Sequence, residues 1–414
     1  MARRSKANRV PFTSLQKKIL LALASVVGLR MLGLFLVLPV FTLYGLQFTH
    51  SRFLVGFAFG SYGLTMALLQ IPLGRLSDRI GRRKVLILGM ALFSLGSFIC
   101  AVPHWFPSGM QIGVLIAGRL VQGGGAIISV AFAAVADHIQ AERRSTAMAI
   151  LGIPIGAAFI IGVIGGPILA GIFGTAWLFW ITGVLGLGTD MLLAHYLPET
   201  PPSGAEPAPL AGIIRTPALL ALDAGGFLMN FFMSTFFFYF PLIVTGRYHM
   251  KMTQYYEVLL PMIFISGITM FLFTRGADHG LARPLAAIAF LVFLPSAVLL
   301  FRPALLGIDP NHIAAILAGG TLFYIGFTGL EPILPSMVSR TAPETAQGSA
   351  LGVYNSMQFL GSFAGGSIAG AFAHALADTG MMITLFIASL LGSALMISVR
   401  AKKESPVHET ASAS

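Results

Sequence analysis

Gly74-Arg75-Leu76-Ser77-Asp78-Arg79-Ile80-Gly81-Arg82-Arg83 is the stretch that decides the fold. Five of its ten residues are charged, in a chain of 414 residues where only 10% are. Lys84 follows at once. Apolar runs at about 53–73 and 85–103 flank it. Hydrocarbon cannot solvate the peptide groups of an irregular turn, so the stretch reads as a short aqueous loop between two membrane helices. Connection alone needs no charges, and their density calls for a further reason.

The composition agrees with a bilayer as solvent. Hydrophobic residues make up 56% of the chain, and the mean hydropathy is +0.85. Soluble domains carry about 25% charged residues. The net charge of +11 would suit nucleic acid, but the charges sit in short loops and at the two ends, which argues against such a partner. The single cysteine, Cys100, lies in an apolar run, so no internal disulfide and no cysteine-based metal or redox site is expected. The nine histidines show no metal-ligand spacing, and no cofactor is expected. The basic N-terminus leads into an apolar run reaching about residue 46, too long for a cleaved signal.

Spans of about 20 apolar residues recur twelve times: about 18–46, 53–73, 85–103, 111–136, 146–171, 174–196, 217–245, 254–274, 284–302, 312–339, 348–376 and 379–399. The expected fold is all-α and membrane-integral. A basic segment 1–17 precedes an amino-terminal bundle over 18–197. A Pro-rich linker, 198–216, leads to a second bundle over 217–400 and a polar tail, 401–414. Of the 26 Lys and Arg, 20 fall on the side of the termini, the linker and the 74–84 loop; four fall opposite, and Arg30 and Arg119 lie inside spans. The positive-inside rule then makes both termini cytoplasmic.

The halves repeat. A shift of 200 residues places Asp78 on Asp278 and Gly165-Gly166 on Gly365-Gly366. Two six-helix bundles related by a pseudo-two-fold axis form a transporter plan whose substrate site lies between the bundles.

With these residues in hand, the chain resembles the major facilitator superfamily over about residues 15–400. Gly74 to Arg83 matches its G-x-x-x-D-R-x-G-R-R signature. Arg119-Leu-Val-Gln122-Gly123-Gly-Gly125-Ala126 resembles its fourth-span R-x-x-Q-G-x-G-A motif. Gly162-Val-Ile-Gly165-Gly166-Pro167, followed by Gly171, resembles the fifth-span motif of its proton-coupled antiporters. Leu29 to Pro39 and Gly348 to Gly361 look like YajR-type drug/proton antiporters. That subgroup carries a soluble C-terminal domain, whereas this chain is expected to stop after its short tail.

The resemblance implies a latch. It places Asp78 near the N-terminus of the eleventh helix, about Gly348, where the helix dipole attracts a carboxylate. Arg79 is expected to pair with Asp137, clamping the bundles on the cytoplasmic side. Gly74, Gly81, Arg82 and Arg83 complete the motif. For Arg82, Arg83 and Lys84 the alternative is simple topology.

Intramembrane charges cost at least about 2.5–3.5 kcal/mol each. Arg30 lies about twelve residues into the first span, roughly 18 Å along it. Arg119, Asp223 and Glu331 lie inside the fourth, seventh and tenth. The resemblance implies that these four helices line the cavity. Glu331, followed by Pro332 and Pro335, is the first candidate for proton coupling, and Asp223 the second. For Glu331 the alternative is a permanent ion pair with Arg30 or Arg119. Arg119, with Gln122 and Gly123, is a candidate structural or relay residue. Gly162, Gly166, Pro167 and Gly171 permit close helix packing, and the resemblance implies that they limit leakage. Tyr62, Met66, Asn230, Tyr354, Asn355 and Gln358 are candidate cavity residues. The aromatic run Phe236 to Phe240 suits either an apolar cation pocket or lipid contact.

The expected function is a proton-coupled secondary transporter of a bacterial inner membrane, working as a monomer by alternating access and exporting small amphipathic or drug-like compounds. Its partners are then the substrate, protons and the lipid bilayer. A proton symporter for a sugar or organic acid is the alternative, and a transporter-like sensor without flux the second. No nucleophile-base set, metal spacing or phosphate loop suggests an enzyme.

Overall fold

The structure is a computed structural model that describes residues 12–199, 210–343, 346–373 and 379–399. Most of the basic N-terminus, the centre of the linker and the tail 401–414 lie outside the described residues.

Twelve long helices carry the fold. α1 spans Ser14–Val37. It starts in a capping box: Thr13 Oγ1 accepts from the Gln16 backbone N–H at 3.2 Å, and Gln16 Oε1 accepts from that of Thr13 at 3.0 Å. It ends before Pro39, and a short turn, Phe41–Gly45, follows. α2 spans Arg52–Ile80 and α3 spans Arg82–Ala101. α4 is broken into Ser108–Gly123 and Ile128–His138 by the run Gly124-Gly125-Ala126-Ile127. α5 covers Ala141–Phe173 and α6 Thr175–Tyr196. In the second half come α7, Pro217–Gly246, and α8, Tyr256–Gly276. α9, Ala282–Phe301, and α10, Ile313–Thr341, follow. α11, Gln347–Phe372, and α12, Thr379–Ser398, complete the set.

Ten stretches are long and apolar enough to cross a membrane. One of them, Met252–Phe301, is 50 residues long and contains both α8 and α9. α11 is not among the ten, because its Gly and Ser dilute its hydropathy; it is the helix that must pack against both bundles.

The loop expectation for 74–84 needs correction. Residues 74–80 remain helical, and only Gly81 leaves the helix, at φ 99°. That conformation is open to glycine at little steric cost, so one residue reverses the chain without coil. Gly174, at φ 89°, divides α5 from α6 in the same way.

The two halves repeat in packing as well as in sequence. α5 lies along α1, with Gly162 and Gly166 against the backbone of Phe35 and Leu36. α11 lies along α7, with Gly361 and Gly365 against that of Phe227 and Phe231. Arg83 donates to the Ala194 carbonyl at the end of α6, and Arg283 Nη1 donates to the Val399 carbonyl beyond α12, at 2.8 Å.

A Cβ on Gly166 would run into the Leu36 carbonyl, whereas one on neighbouring Gly165 would meet nothing within 4 Å. Gly166→Val is therefore expected to lower stability by about 1–3 kcal/mol through overpacking, and Gly165→Ala to leave it unchanged. Thermal unfolding of the purified variants checks this.

Among the described residues, the closest contacts between the bundles lie toward one end. α2 and α11 cross closely where Gly56 and Gly60 face Gly366 and Phe363. Phe59 meets Phe238 edge-on at 6.4 Å, and Phe159 meets Tyr324 at 6.2 Å. Gly171 abuts Thr253, ahead of α8. All these contacts lie toward the ends of the helices opposite the 74–84 turn. Toward that turn, a Cβ on Gly348 or Gly352 of α11 would meet nothing within 4 Å among the described residues. α10 records the transition along one face: Tyr324 is 0% exposed, and Glu331, two turns on, is exposed. Among the described residues, the close contacts between the bundles gather away from the 74–84 turn, and Glu331 on the turn side is solvent-accessible.

Candidate functional site

Two arginines lie in the middle of the amino-terminal bundle. Arg30 on α1 is 1% exposed and Arg119 on α4 is 4% exposed. Arg30 Nη2 donates to the Tyr62 hydroxyl at 2.7 Å and approaches Met66 Sδ at 2.8 Å. The other face of the assembly is Arg119, whose guanidinium carbon lies 4.7 Å from the Tyr62 ring centroid and 5.1 Å from that of Phe41. Arg119 Nη1 donates to Gln122 Oε1 at 2.5 Å, and Gln122 Nε2 passes the chain to Ser97 Oγ at 2.9 Å. Gln122 reaches Ser97 because Gly96 lets α3 touch the backbone of α4 there, and Gly123 does the same against Tyr62 on α2. The fourth-span motif thus fixes the Arg119 headgroup between two aromatic faces.

The carboxylates lie in the other bundle. Asp223 on α7 is 3% exposed, and its Oδ1 is buried without a partner among the described residues. Glu331 stands on the open wall of the interbundle space. Tyr354 of α11, 1% exposed, packs its ring on Gly226 and lies within electrostatic range of both carboxylates. Gln358 Nε2 donates to its hydroxyl at 3.3 Å. The expected alternative, an ion pair of Glu331 with Arg30 or Arg119, is absent: among the described residues neither guanidinium has a carboxylate within 4.0 Å. Arg30 and Arg119 lie in the first bundle, and Asp223 and Glu331 in the second.

The latch residues are placed differently from the expectation. Asp78 pairs with Arg82, four residues on and across the reversal at Gly81, at 2.5 Å. Asp137 is also taken by Arg82, at 3.0 Å, and Arg79 is exposed. The Arg79–Asp137 pairing is therefore corrected to Arg82–Asp137. The chain reversal at Gly81 turns Arg82 back toward α2, where it also donates to Ser77 Oγ at 2.5 Å. Among the described residues the ion-pair partner of Asp78 is Arg82 rather than the N-terminus of α11, whose N-cap residue makes no side-chain cap. Gly74 has only Ser129 nearby, at 3.9 Å from a would-be Cβ.

In the second half, Asp278 and Arg340 are 4.0 Å apart and both well exposed, at 69% and 65%. Exposed pairs of this kind contribute about 0–1 kcal/mol. Asp78→Asn is expected to cut transport several-fold more than Asp278→Asn, as measured by initial rates at matched expression. Equal effects would return both residues to a purely topological role.

Of the remaining candidates, Tyr62 and Met66 belong to the arginine cluster rather than to an open wall. Asn230 is half-buried and turned back to the Gly226 carbonyl at 3.5 Å. Asn355 is half-buried on α11. Phe236 to Phe240 are all buried. They stack into the second bundle, as with Phe236 on Phe323 at 4.0 Å, and do not face lipid. One group was missed. Among the described residues, Asp190 on α6 has a buried Oδ1 without a partner, and Gln70, which shares the face of Tyr62 and Met66 on α2, has both amide atoms in that condition. Asp190 carries the same signal that singles out Asp223, a carboxylate inside an apolar run.

Comparison with known proteins agrees with this architecture. Residues 23–366 match the family model described as Major Facilitator Superfamily. The inner membrane transport protein YajR of Escherichia coli is 31% identical over 374 residues, covering 88% of this chain and 79% of that protein. Among solved structures, a bacterial homologue of the human lysosomal transporter Spinster, inward-facing and occupied, superposes with a TM-score of 0.68 at 15% identity, covering 94% of each chain. The human organic anion transporter MFSD10 gives 0.66 at 19% identity, covering 92% of this chain and 99% of that one. Twelve spans in two repeated bundles, the three motifs at their expected helices and the family match together make this chain a multi-pass membrane transporter of the major facilitator superfamily.

Proposed function

We propose that the protein is a proton-coupled antiporter that exports small amphipathic compounds from the cytoplasm by alternating access. The observation that carries the reading is Glu331. Among the described residues it has no ion-pair partner, and it is exposed on the wall of the interbundle space, seven residues beyond a fully sealed Tyr324. A carboxylate that meets solvent in one state and the seam in the other has the two environments that proton exchange requires. Buried Asp223 and the intervening Tyr354 extend that polar path. The distribution of Lys and Arg supports cytoplasmic termini and a cytoplasmic 74–84 turn, so the open side is the cytoplasmic one. Residues 18–197 and 217–400 then act as the two rocking units, joined by the linker, in a bacterial inner membrane. The fifth-span glycines, packed at the α1–α5 seam, favour antiport over symport through their resemblance to the motif of proton-coupled antiporters, which symporters usually lack.

Inverted membrane vesicles test the reading. With respiration acidifying the lumen, addition of an exported compound is expected to discharge part of the pH gradient, read by a quenched acridine dye. A panel of amphipathic compounds that discharges nothing beyond transporter-free vesicles contradicts it.

A further inference from the structure

Arg30 and Arg119 hold two positive charges in the membrane interior, and among the described residues no carboxylate lies within 4.0 Å of either. Guanidinium groups remain protonated in proteins and carry five N–H donors each. Removing such an ion from water costs several kcal/mol unless charge and hydrogen bonds replace the hydration. Here the replacement is incomplete. Among the described residues, the Nε of each is fully buried and without a partner. Arg30 meets one oxygen, the Tyr62 hydroxyl; its other neighbours are the thioethers of Met66 at 2.8 Å and Met31 at 3.9 Å. A thioether is a weak acceptor, and an oxyanion in its place would be a charge-assisted one. Arg119 has a single amide oxygen and two aromatic faces.

We propose that this pair is an anion-recognition site, and that the exported compound carries a carboxylate or sulfonate that docks on Arg30 and Arg119 across Tyr62. The inference rests on the export reading and narrows its substrate class to organic anions. The two thioethers close the site when it is empty. Methionine is unbranched and adaptable, and Met31 is partly exposed, so displacement of Met31 and Met66 opens the guanidinium edges. The same two charges repel an organic cation from this wall. Among the described residues no carboxylate lies within 4.0 Å of either guanidinium to oppose the anion, and Asp223 and Glu331 on the other bundle are left free to exchange protons.

The test is equilibrium binding to the purified full chain in nanodiscs, by titration calorimetry in a salt-free zwitterionic buffer. Three isosteric probes are compared: 2-naphthoate, 2-naphthamide and 2-naphthylmethylammonium, with sodium chloride titrated separately. Naphthoate is expected to bind at least about 10-fold more tightly than the amide, the worth of one charge-assisted hydrogen bond, and the ammonium not to bind at the same site. Arg30→Met and Arg119→Met are each expected to remove the preference, and Arg30→Lys to keep part of it. Equal binding of naphthoate and naphthamide overturns the proposal using wild-type protein alone, whether or not the variants fold. Retention of the preference in a folded Arg30→Met protein also overturns it. So does a chloride titration that accounts for all the binding heat, which makes the pair a site for an inorganic counter-ion only. No gradient is applied, so failure here with intact proton discharge removes the substrate class and leaves antiport standing. Naphthoate binding without any proton discharge does the reverse.

Discussion

Glu331→Gln is expected to reduce proton-driven flux to less than about one-tenth of the wild-type rate, in keeping with the role of intramembrane carboxylates in proton relays. The amide is nearly isosteric and neutral, so packing around α10 is preserved while the exchangeable proton is lost. Substrate exchange without net proton movement is expected to persist, because the variant resembles the protonated state. This separation of coupled flux from exchange distinguishes a coupling role from a structural one. Asp223→Asn is expected to have a smaller effect. Its carboxylate is 3% exposed and reaches the open space only by way of its neighbours. Rates in proteoliposomes with and without an imposed pH gradient check both. Full pH-driven flux in Glu331→Gln would move the coupling role to Asp223, or to Asp190, which the sequence reading passed over.

Gly60→Val should open the sealed side. A Cβ at Gly60 would lie 2.6 Å from the Phe363 carbonyl oxygen and 2.9 Å from its Cα. Backbone atoms cannot swing away as a side chain does, so α2 and α11 must separate. Overpacking of this kind costs about 1–3 kcal/mol, and each 1.4 kcal/mol is about tenfold in a two-state population. The state closed on this side should therefore lose about one to two decades of population to its alternative. The single cysteine, Cys100, is buried, so a Cys100→Ser background permits paired spin labels. Labels at Ser51 and Asp309 report the sealed side, and labels at Arg75 and His279 report the open one. Gly60→Val is expected to lengthen the first distance and shorten the second. Gly60→Ala, with less volume, should give a smaller shift in the same direction. Lengthening of one distance without shortening of the other would mean local disruption rather than alternating access.

The fold was legible because hydrocarbon imposes a simple rule. Twelve apolar runs could be counted, and each corresponds to a helix, with boundaries shifted by a few residues. The charged turn was misjudged in extent. Charge density suggested ten residues of loop, but an α-helix satisfies its own backbone wherever its side chains point, so Leu76 to Ile80 stay helical. Only Gly81, with its positive φ, has to leave the helix. The glycine pairs at Gly162 and Gly166 were legible as packing sites because absence of a side chain has one physical consequence at a helix seam.

The site was less legible. Sequence could select Arg30, Arg119, Asp223 and Glu331 as costly residues in a membrane, but opposite charges suggested pairing across the bundles. Whether they pair depends on helix rotation and on the state of the cavity, and neither is written in local pattern. Tyr62 and Met66 looked like pocket wall because their spacing puts them on one face of α2. That face is the one Arg30 occupies. Arg82 took the partner assigned to Arg79 because a one-residue reversal sends the next side chain back along α2, a geometry that only the φ of Gly81 reveals.

The most direct test of the central claim uses purified protein in proteoliposomes loaded with an aromatic carboxylate at equal concentration inside and out. A pH gradient is then imposed with no other driving force. The account predicts accumulation of the compound against its own gradient on the side opposite to proton entry, collapsed by a protonophore and abolished in Glu331→Gln. Movement of neither compound nor protons across an active panel, or movement of both in the same direction, would contradict it.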